Sequence, residues 1–163
     1  MKNHRVYLDT SALIKRYTQE VNSDLVSRLF EDKTVLLFAS VWAINESIAA
    51  FDRKVAKRQV SLQDRDRAIS ALLKEATQHT GDNRFAQLPI SEDLLLQSTH
   101  LIIKHHISAD DALHLATALS ASVDCLVAGD KRLVEAARVE GLESYNLEID
   151  SDAALLRQKL EDA

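Results

Sequence analysis

Five short strand-like segments alternate with helical segments along the chain, and this alternation constrains the fold more than any other feature. The strand-like segments occupy 5–8, 34–39, 85–90, 125–129 and 142–147. Each is too short for an ordinary helix and rich in apolar residues, which favours a buried strand. Short buried strands separated by helices predict a mostly parallel sheet of four to five strands with helices on both faces. We therefore expect a single α/β/α domain.

The helical segments carry their own start signals. Ser40, Ser61 and Ser91 each stand directly before a helical pattern, where a serine hydroxyl is a favourable N-cap. The predicted helices are an opening at 11–17 and the segments 22–32, 41–58, 61–79, 92–106, 109–122, 130–140 and 152–160, with a break at 81–83. We expect one domain over 1–150, with a helical excursion at 58–84, followed by a helical tail at 151–163.

Composition excludes several classes of protein. The chain has 163 residues, 46% of them apolar, which suits one domain of ordinary size. Cys125 is the only cysteine, so neither an intramolecular disulfide nor a cysteine-based zinc site can form within one chain. GxGxxG, GxxxxGK[ST] and HExxH are all absent from the sequence. Without a secretory signal or an apolar run of about 20 residues, we expect a soluble, cytoplasmic protein.

Two aspartates follow predicted strands directly. Asp9 comes after the first strand, and Asp130 comes after the strand CLVAG. The carboxyl ends of parallel strands meet at one edge of a sheet, which is where such folds bind their ligands. We therefore expect Asp9 and Asp130 to lie close together although they are distant in sequence.

Two further acids occupy unusual positions within helices. Asp111 opens a helix in line with Leu115 and Leu119, so it is expected to point inward. Glu46 lies in the helix after the second strand, and an acid on a partly buried face needs a polar partner. That face also carries Trp42, Ala43, Ala49 and Ala50. Converging carboxylates need a counter-charge, and oxygen ligands favour Mg²⁺ or Mn²⁺, either of which can activate a water for attack on phosphorus.

Each acid also has a simpler interpretation. Asp9 and Asp130 suit helix N-caps, Asp110 and Asp111 suit the first turn of a helix, and Glu46 suits an exposed helical face. Taken singly, none of them indicates a metal site. Their combination is what favours one.

Histidine and basic residues are interpreted in the same way. His114 is expected to pack or form hydrogen bonds rather than act as a ligand. The basic cluster RKVAKR at 53–58 is typical of a solvated face, yet it follows Glu46 on the same helix. The net charge of −5 counts mildly against a nucleic-acid-binding protein. Contact with an RNA backbone is the alternative role of the cluster.

Four segments of the chain resemble the PIN domain, and in particular the VapC-type toxins of toxin–antitoxin pairs. They are VYLDTSALIKRY, ASVWAINES, ADDALHLATAL and CLVAGDKRLVEAARVEGL. The resemblance implies a ribonuclease dependent on Mg²⁺ or Mn²⁺, with an acidic quartet formed by Asp9, Glu46, Asp111 and Asp130. It also implies a VapB-type antitoxin as partner and a homodimer.

Two positions depart from that pattern. Ala128 stands where the family often has a threonine, so a hydroxyl that could support the metal ligands is missing. Asp110 adds an acid beside Asp111, which leaves open which of the two reaches the metal. The helical excursion and the tail make the chain long for such a toxin, and they suit contacts with a second copy, an antitoxin or RNA.

RNA phosphodiester hydrolysis is the function that the sequence favours. Arg16, Lys54 and Arg58 are weaker candidates for phosphate contact. The alternatives are a PIN nuclease of RNA processing, a non-catalytic module that keeps the fold, and a phosphatase with Asp9 as its nucleophile. Ser11 argues against the phosphatase, which would need an acid at that position.

Overall fold

The computed structural model describes residues 4–77 and 84–161 of the chain. The strands in these ranges are β1 (His4–Leu8), β2 (Val35–Ser40), β3 (Phe85–Leu88), β4 (Cys125–Ala128) and β5 (Glu143–Asn146). The helices are α1 (Thr10–Leu13), α2 (Ser23–Glu31), α3 (Val41–Ala56), α4 (Leu62–Thr77), α5 (Glu92–His105), α6 (Ala109–Ser120), α7 (Lys131–Val139) and α8 (Asp150–Glu161). A 3₁₀ turn, Ile14–Arg16, continues α1. All five predicted strands are confirmed.

The strands form one parallel sheet in the order β3-β2-β1-β4-β5. Val6 at the centre pairs with Leu37 of β2 on one side and with Cys125 of β4 on the other. The chain thus builds outward from β1 through β2 and β3, then returns to build outward through β4 and β5. This reversal makes the β1/β4 junction the topological switch point, where ligands bind in such folds.

Side chains of β1 alternate between two hydrophobic cores, one on each face of the sheet. Val6 and Leu8 face the core that α2, α3, α4 and α8 cover, while Tyr7 faces the core that α5, α6 and α7 cover. All three of these residues are buried. The predicted α/β/α arrangement is therefore confirmed.

The three predicted serine caps are confirmed, at the starts of α3, α4 and α5. The Oγ atoms of Ser40, Ser61 and Ser91 accept hydrogen bonds from backbone N–H groups three residues later, at 3.1, 3.0 and 3.3 Å. Each cap satisfies a backbone donor that has no partner within its helix. These bonds fix where α3, α4 and α5 begin.

The helical excursion and the tail both pack on the sheet. Leu72 of α4 and Leu156 of α8 are at most 1% exposed and belong to the same core as β1. The predicted end of the first of these helices at 78–79, the break at 81–83 and residues 162–163 lie outside the described residues. Among the helices in the described ranges, none combines the length and apolar character needed to cross a bilayer.

Candidate active site

A cleft of about 330 Å³ opens at the carboxyl edge of the sheet, beside the β1/β4 switch point. Its walls come from the ends of β1 and β4 and from α3 and α6. The lining residues are Asp9, Thr10, Ser11, Ile14, Glu46, Ala49, Ala50, Arg53, Asp110, Asp111, His114 and Asp130. All four acids proposed from the sequence, and the additional Asp110, thus line one cleft.

A larger concavity of about 860 Å³ lies between β5 and α8, but its acids are already paired. Arg138 contacts Asp152 at 2.7 Å, and Lys159 contacts Glu143. Such pairs leave little unbalanced charge for a ligand. The smaller acidic cleft is therefore the better candidate for chemistry.

Asp9 is a helix cap and a cleft residue at the same time. The residue is 4% exposed, and its Oδ1 atom accepts a hydrogen bond of 2.9 Å from the backbone N–H of Ala12. Burial raises the pKa of Asp9 to about 6, against the opposing charge of His114 and the hydrogen bonds that Asp9 accepts. Capping therefore explains the position of Asp9, but it does not relieve the cost of burying its charge.

Ser11 joins the ends of the two central strands. Its hydroxyl donates to both carboxylate oxygens of Asp9 at 2.8 Å and accepts from the backbone N–H of Gly129 at 2.6 Å. A Cβ atom on Gly129 would lie 3.0 Å from Ser11 Oγ, so any other residue here would push the Ser11 side chain away by a few tenths of an ångström. Ala128, at the position where a threonine was expected, is completely buried and supplies no hydroxyl. The hydroxyl that contacts Asp9 belongs to Ser11.

Glu46 has the polar partner that its position demanded. His114 Nε2 lies 2.7 Å from Glu46 Oε2, and Thr10 Oγ1 donates to the same oxygen at 2.5 Å. The Tyr7 hydroxyl lies 2.9 Å from His114 Nδ1 on the other side of the ring. The expected hydrogen-bonding role of His114 is confirmed. The sequence did not identify Glu46 as the partner of His114. A lone histidine on an apolar helix gives no signal of the residue that it will contact.

The charges of Glu46 and His114 stabilise each other. Burial alone would raise the pKa of Glu46, but hydrogen bonds from His114 and Thr10 outweigh it and hold the pKa below its usual value. Burial opposes the charged form of His114 as well. The hydrogen bond to Glu46 and the charge of Asp9 outweigh that effect and raise the pKa of His114.

The acids on the opposite wall repel one another. Asp130 caps α7, with Oδ1 accepting from the backbone N–H groups of Arg132 and Leu133 at 2.7 and 3.0 Å. Burial raises the pKa of Asp111, and the neighbouring charges of Asp130 and Asp110 raise it further. The cleft therefore carries negative charge that a cation would relieve.

The oxygen atoms that line the cleft suit a hard divalent cation, although the carboxylates are not arranged as close as ligands of a bound ion would be. Within residues 4–77 and 84–161, no three acidic, histidine or cysteine side chains are placed so that they could hold an ion as they stand. The fit rests instead on chemistry: the carboxylates are hard oxygen donors, and two of them, Asp9 and Asp111, have raised pKa values.

The basic residues proposed for phosphate contact lie outside the lining of the cleft. Arg16 pairs with Glu75 at 3.1 Å and Lys54 pairs with Glu20 at 2.7 Å, so both take part in ion pairs within the chain. Arg58 is exposed at the end of α3. Among the described residues, the basic side chain that lines the cleft is Arg53. Arg53 belongs to the basic cluster at 53–58. It differs from its neighbours in that cluster because it lies on the face of α3 that is turned toward the cleft.

The family model of the PIN domain matches residues 6–139, which is most of the chain. No curated protein sequence matches this chain.

Three solved structures illustrate the structural similarity. The sarcin–ricin-loop-cleaving toxin VapC20 of Mycobacterium tuberculosis is 17% identical, with a TM-score of 0.61 over 80% of this chain and 94% of that one. PAE2754 of Pyrobaculum aerophilum is 17% identical, with a TM-score of 0.67 over 98% of this chain and 91% of that one. FitAcB of Neisseria gonorrhoeae is 19% identical, with a TM-score of 0.56 over 88% of this chain and 98% of that one.

Identities this low show a shared fold, whereas the family model covers the sequence itself from β1 to the last residue of α7. The fold, the switch-point cleft and the family match all agree. The chain belongs to the PIN-domain family.

Proposed function

We propose that this protein is a divalent-metal-dependent ribonuclease that hydrolyses RNA phosphodiester bonds in the acidic cleft. The observation that carries the proposal is the meeting of Asp9, Glu46, Asp111 and Asp130, from four separate segments, in one cleft at the switch point. Membership of the PIN-domain family supports the same activity.

Asp9, Asp111 and Asp130 would hold Mg²⁺ or Mn²⁺, with Glu46 supporting that ion or a second one, directly or through water. A bound ion would supply an activated water and stabilise the charge that develops on the phosphate. Such a reaction needs no side-chain nucleophile.

Hydrogen bonds in and beside the cleft orient three of these acids. Ser11 holds both carboxylate oxygens of Asp9, and His114 holds Glu46. The N-terminus of α7 holds Asp130. Arg53 is the side chain of the cleft that can contact an RNA phosphate.

Hydrolysis of single-stranded RNA by the purified protein in Mg²⁺ tests this proposal. We expect cleavage that EDTA abolishes and added Mg²⁺ or Mn²⁺ restores. Asp9→Asn should be inactive, whereas Asp64→Asn, the same change at an exposed acid of α4, should keep full activity. Equal cleavage by the wild type, by Asp9→Asn and in EDTA would contradict the proposal and indicate a contaminating nuclease.

A toxin of a VapBC-type pair is the cellular role that fits this activity. VapC20 is named as a toxin, and a toxin–antitoxin complex from Klebsiella pneumoniae shares the fold with a TM-score of 0.55. The role implies a cytoplasmic homodimer whose VapB-type antitoxin inserts a basic side chain among the cleft carboxylates. The alternative role is RNA processing by the same chemistry.

Induced expression in bacteria separates the two roles. A toxin should arrest growth, Asp9→Asn should not, and co-expression of the gene immediately upstream should restore growth. Growth unaffected by the wild type, combined with RNA cleavage in vitro, would favour RNA processing.

A further inference from the structure

One stripe of residues along α3 extends beyond the cleft. Trp42, Glu46, Ala49 and Arg53 fall within about 60° of one another around the helix axis. Glu46, Ala49 and Arg53 line the cleft, so the stripe is the wall that α3 gives to it. Trp42 continues the stripe at the first turn of α3, about 6 Å along the axis from Glu46.

Trp42 is poorly explained by packing. It is 43% exposed, whereas the next two residues, Ala43 and Ile44, are buried in the core. Within the described residues, the ring pairs and cation–π contacts involve other aromatic side chains. The exposed part of the indole ring is therefore open to a ligand, one helical turn from Glu46 in the cleft wall.

The cleft itself offers a site for phosphate but no flat surface for a base. Its described lining consists of carboxylates, hydroxyls, small apolar groups, Arg53 and the ring of His114, which is only 3% exposed and hydrogen-bonded at both nitrogens. Proteins that bind single-stranded RNA combine cationic contacts to the backbone with aromatic side chains on which unpaired bases stack. On α3, these two kinds of group lie at opposite ends of one stripe.

We infer that Trp42 is the stacking platform for an RNA base adjacent to the phosphate held in the cleft, with Arg53 contacting the backbone at the other end of α3. The inference rests on the proposed ribonuclease function and adds to it a substrate contact. It assigns recognition of single-stranded RNA to a residue that is not one of the cleft acids.

Because Trp42 is the only tryptophan in the chain, its fluorescence reports on this contact alone. The experiment titrates the Asp9→Asn protein with a 12-nucleotide poly(A) RNA, at a Mg²⁺ concentration that saturates this variant despite its weakened metal site. A matched oligomer of the same length and charge, but with abasic ribose at every position, is the control probe. We expect saturable quenching by poly(A) and none by the abasic oligomer. Equal quenching by both, or none by either, would overturn the inference.

Steady-state RNA cleavage by otherwise wild-type protein tests the same contact in catalysis. Trp42→Ala should raise KM by about 5- to 100-fold and leave kcat unchanged, because stacking binds substrate and transition state alike. Trp42→Phe should recover most of the loss. Val41→Ala is the matched control, because Val41 is 42% exposed but lies about 100° further around the helix. A KM for Trp42→Ala within twofold of the wild type would contradict the inference.

Failure of the inference and failure of the proposed function are distinguishable. Cleavage by the wild type with unchanged KM in Trp42→Ala would reject the stacking role and keep the ribonuclease. Absence of cleavage, with base-dependent quenching still present, would reject hydrolysis and keep Trp42 as an RNA contact. Quenching by a protein partner but not by poly(A) would assign Trp42 to a protein interface and reject the inference.

Discussion

The carboxylate of Asp9 is held in a place that disfavours its charge. Its hydrogen bonds from Ala12 and Ser11 favour the ionised form, yet burial outweighs them and raises its pKa to about 6. In the unfolded chain this group titrates near 3.8. The folded protein therefore binds this proton more tightly than the unfolded chain does. Ionising Asp9 thus costs stability as pH rises from about 4 to 6.

Asp9→Asn should therefore stabilise the metal-free protein. The pKa shift corresponds to a gain in the free energy of unfolding of at most about 3 kcal/mol at neutral pH. The gain is smaller near pH 4.5, because there Asp9 of the folded wild type is still largely protonated. Urea unfolding in EDTA at pH 7.5 and 4.5 measures the difference between variant and wild type. An Asp9→Asn protein less stable than the wild type at pH 7.5 would contradict this account of the site.

Glu46 and His114 should make the opposite contribution to stability. The lowered pKa of Glu46 stabilises the fold above the usual titration range of a glutamate. The raised pKa of His114 stabilises the fold below about pH 6.5 and loses that effect as pH rises through the folded-state value. The pair contributes most between these limits, at about pH 5 to 6.5.

Glu46→Gln should accordingly lower the free energy of unfolding by about 1–2 kcal/mol near pH 6 and by less near pH 9. Chemical denaturation of the metal-free protein at the two pH values measures this. Glu135→Gln is the control, because Glu135 is exposed and, in the part of the chain that the structure describes, its ion pair is the long contact of 3.7 Å with Lys131. A loss that is the same at both pH values would show that the charge of His114 does not support Glu46.

Sequence reasoning found the acids but not the groups that orient them. Asp9 and Asp130 were predicted from their places after strands, a pattern that is local in sequence. The contacts from Ser11 to Gly129 and from His114 to Glu46 span 118 and 68 residues, so they depend on strand order and helix rotation. The basic residue of the cleft was missed for the same reason, because only the rotation of α3 selects Arg53 from its cluster.

At the scale of elements, the junction between β4 and α7 controls how closely the two central strand ends approach. Gly129 brings its backbone N–H to the Ser11 hydroxyl, which in turn holds Asp9. The following residue, Asp130, caps α7. One short junction thus positions carboxylates from both sides of the switch point.

Gly129→Ala should reduce RNA hydrolysis by about tenfold or more, because its Cβ would displace Ser11 and with it Asp9. Gly141→Ala is the matched control. Gly141 has a φ of +81° and open space around it, so alanine there should cost about 1 kcal/mol of stability and leave the activity of folded protein unchanged. Cleavage rates corrected for the folded fraction measure both. Equal activity of the two variants would contradict the role assigned to the junction.

Element boundaries were predictable where a local signal marks them. Ser40 and Ser91 predicted the starts of α3 and α5. In the structure, their hydroxyl oxygens accept hydrogen bonds from the expected backbone N–H groups. The first helix was less predictable: α1 ends at Leu13 and gives way to a 3₁₀ turn. Helices frequently tighten in this way at their ends, and the choice depends on tertiary contacts that a sequence pattern does not contain.

At the scale of the whole molecule, strand order explains how distant acids come to share one cleft. The chain passes from β1 outward, returns at β4, and so places both central strand ends at one edge. Alternating strands and helices predicted the parallel sheet, but the periodicity of the sequence does not determine the strand order β3-β2-β1-β4-β5. The proximity of Asp9 and Asp130 was therefore predicted from the fold class alone. In the structure, both residues line the cleft.

Binding of Mn²⁺, followed by electron paramagnetic resonance, tests the central claim that these acids form a divalent-metal site. The account predicts saturable binding to the wild type, competed by Mg²⁺ and weakened at least about tenfold in Asp9→Asn and Asp130→Asn, since each removes a charged ligand. Asp64→Asn should bind as the wild type does. Equal Mn²⁺ affinity in all four proteins would contradict the claim, because the ion would then be held elsewhere or not specifically at all.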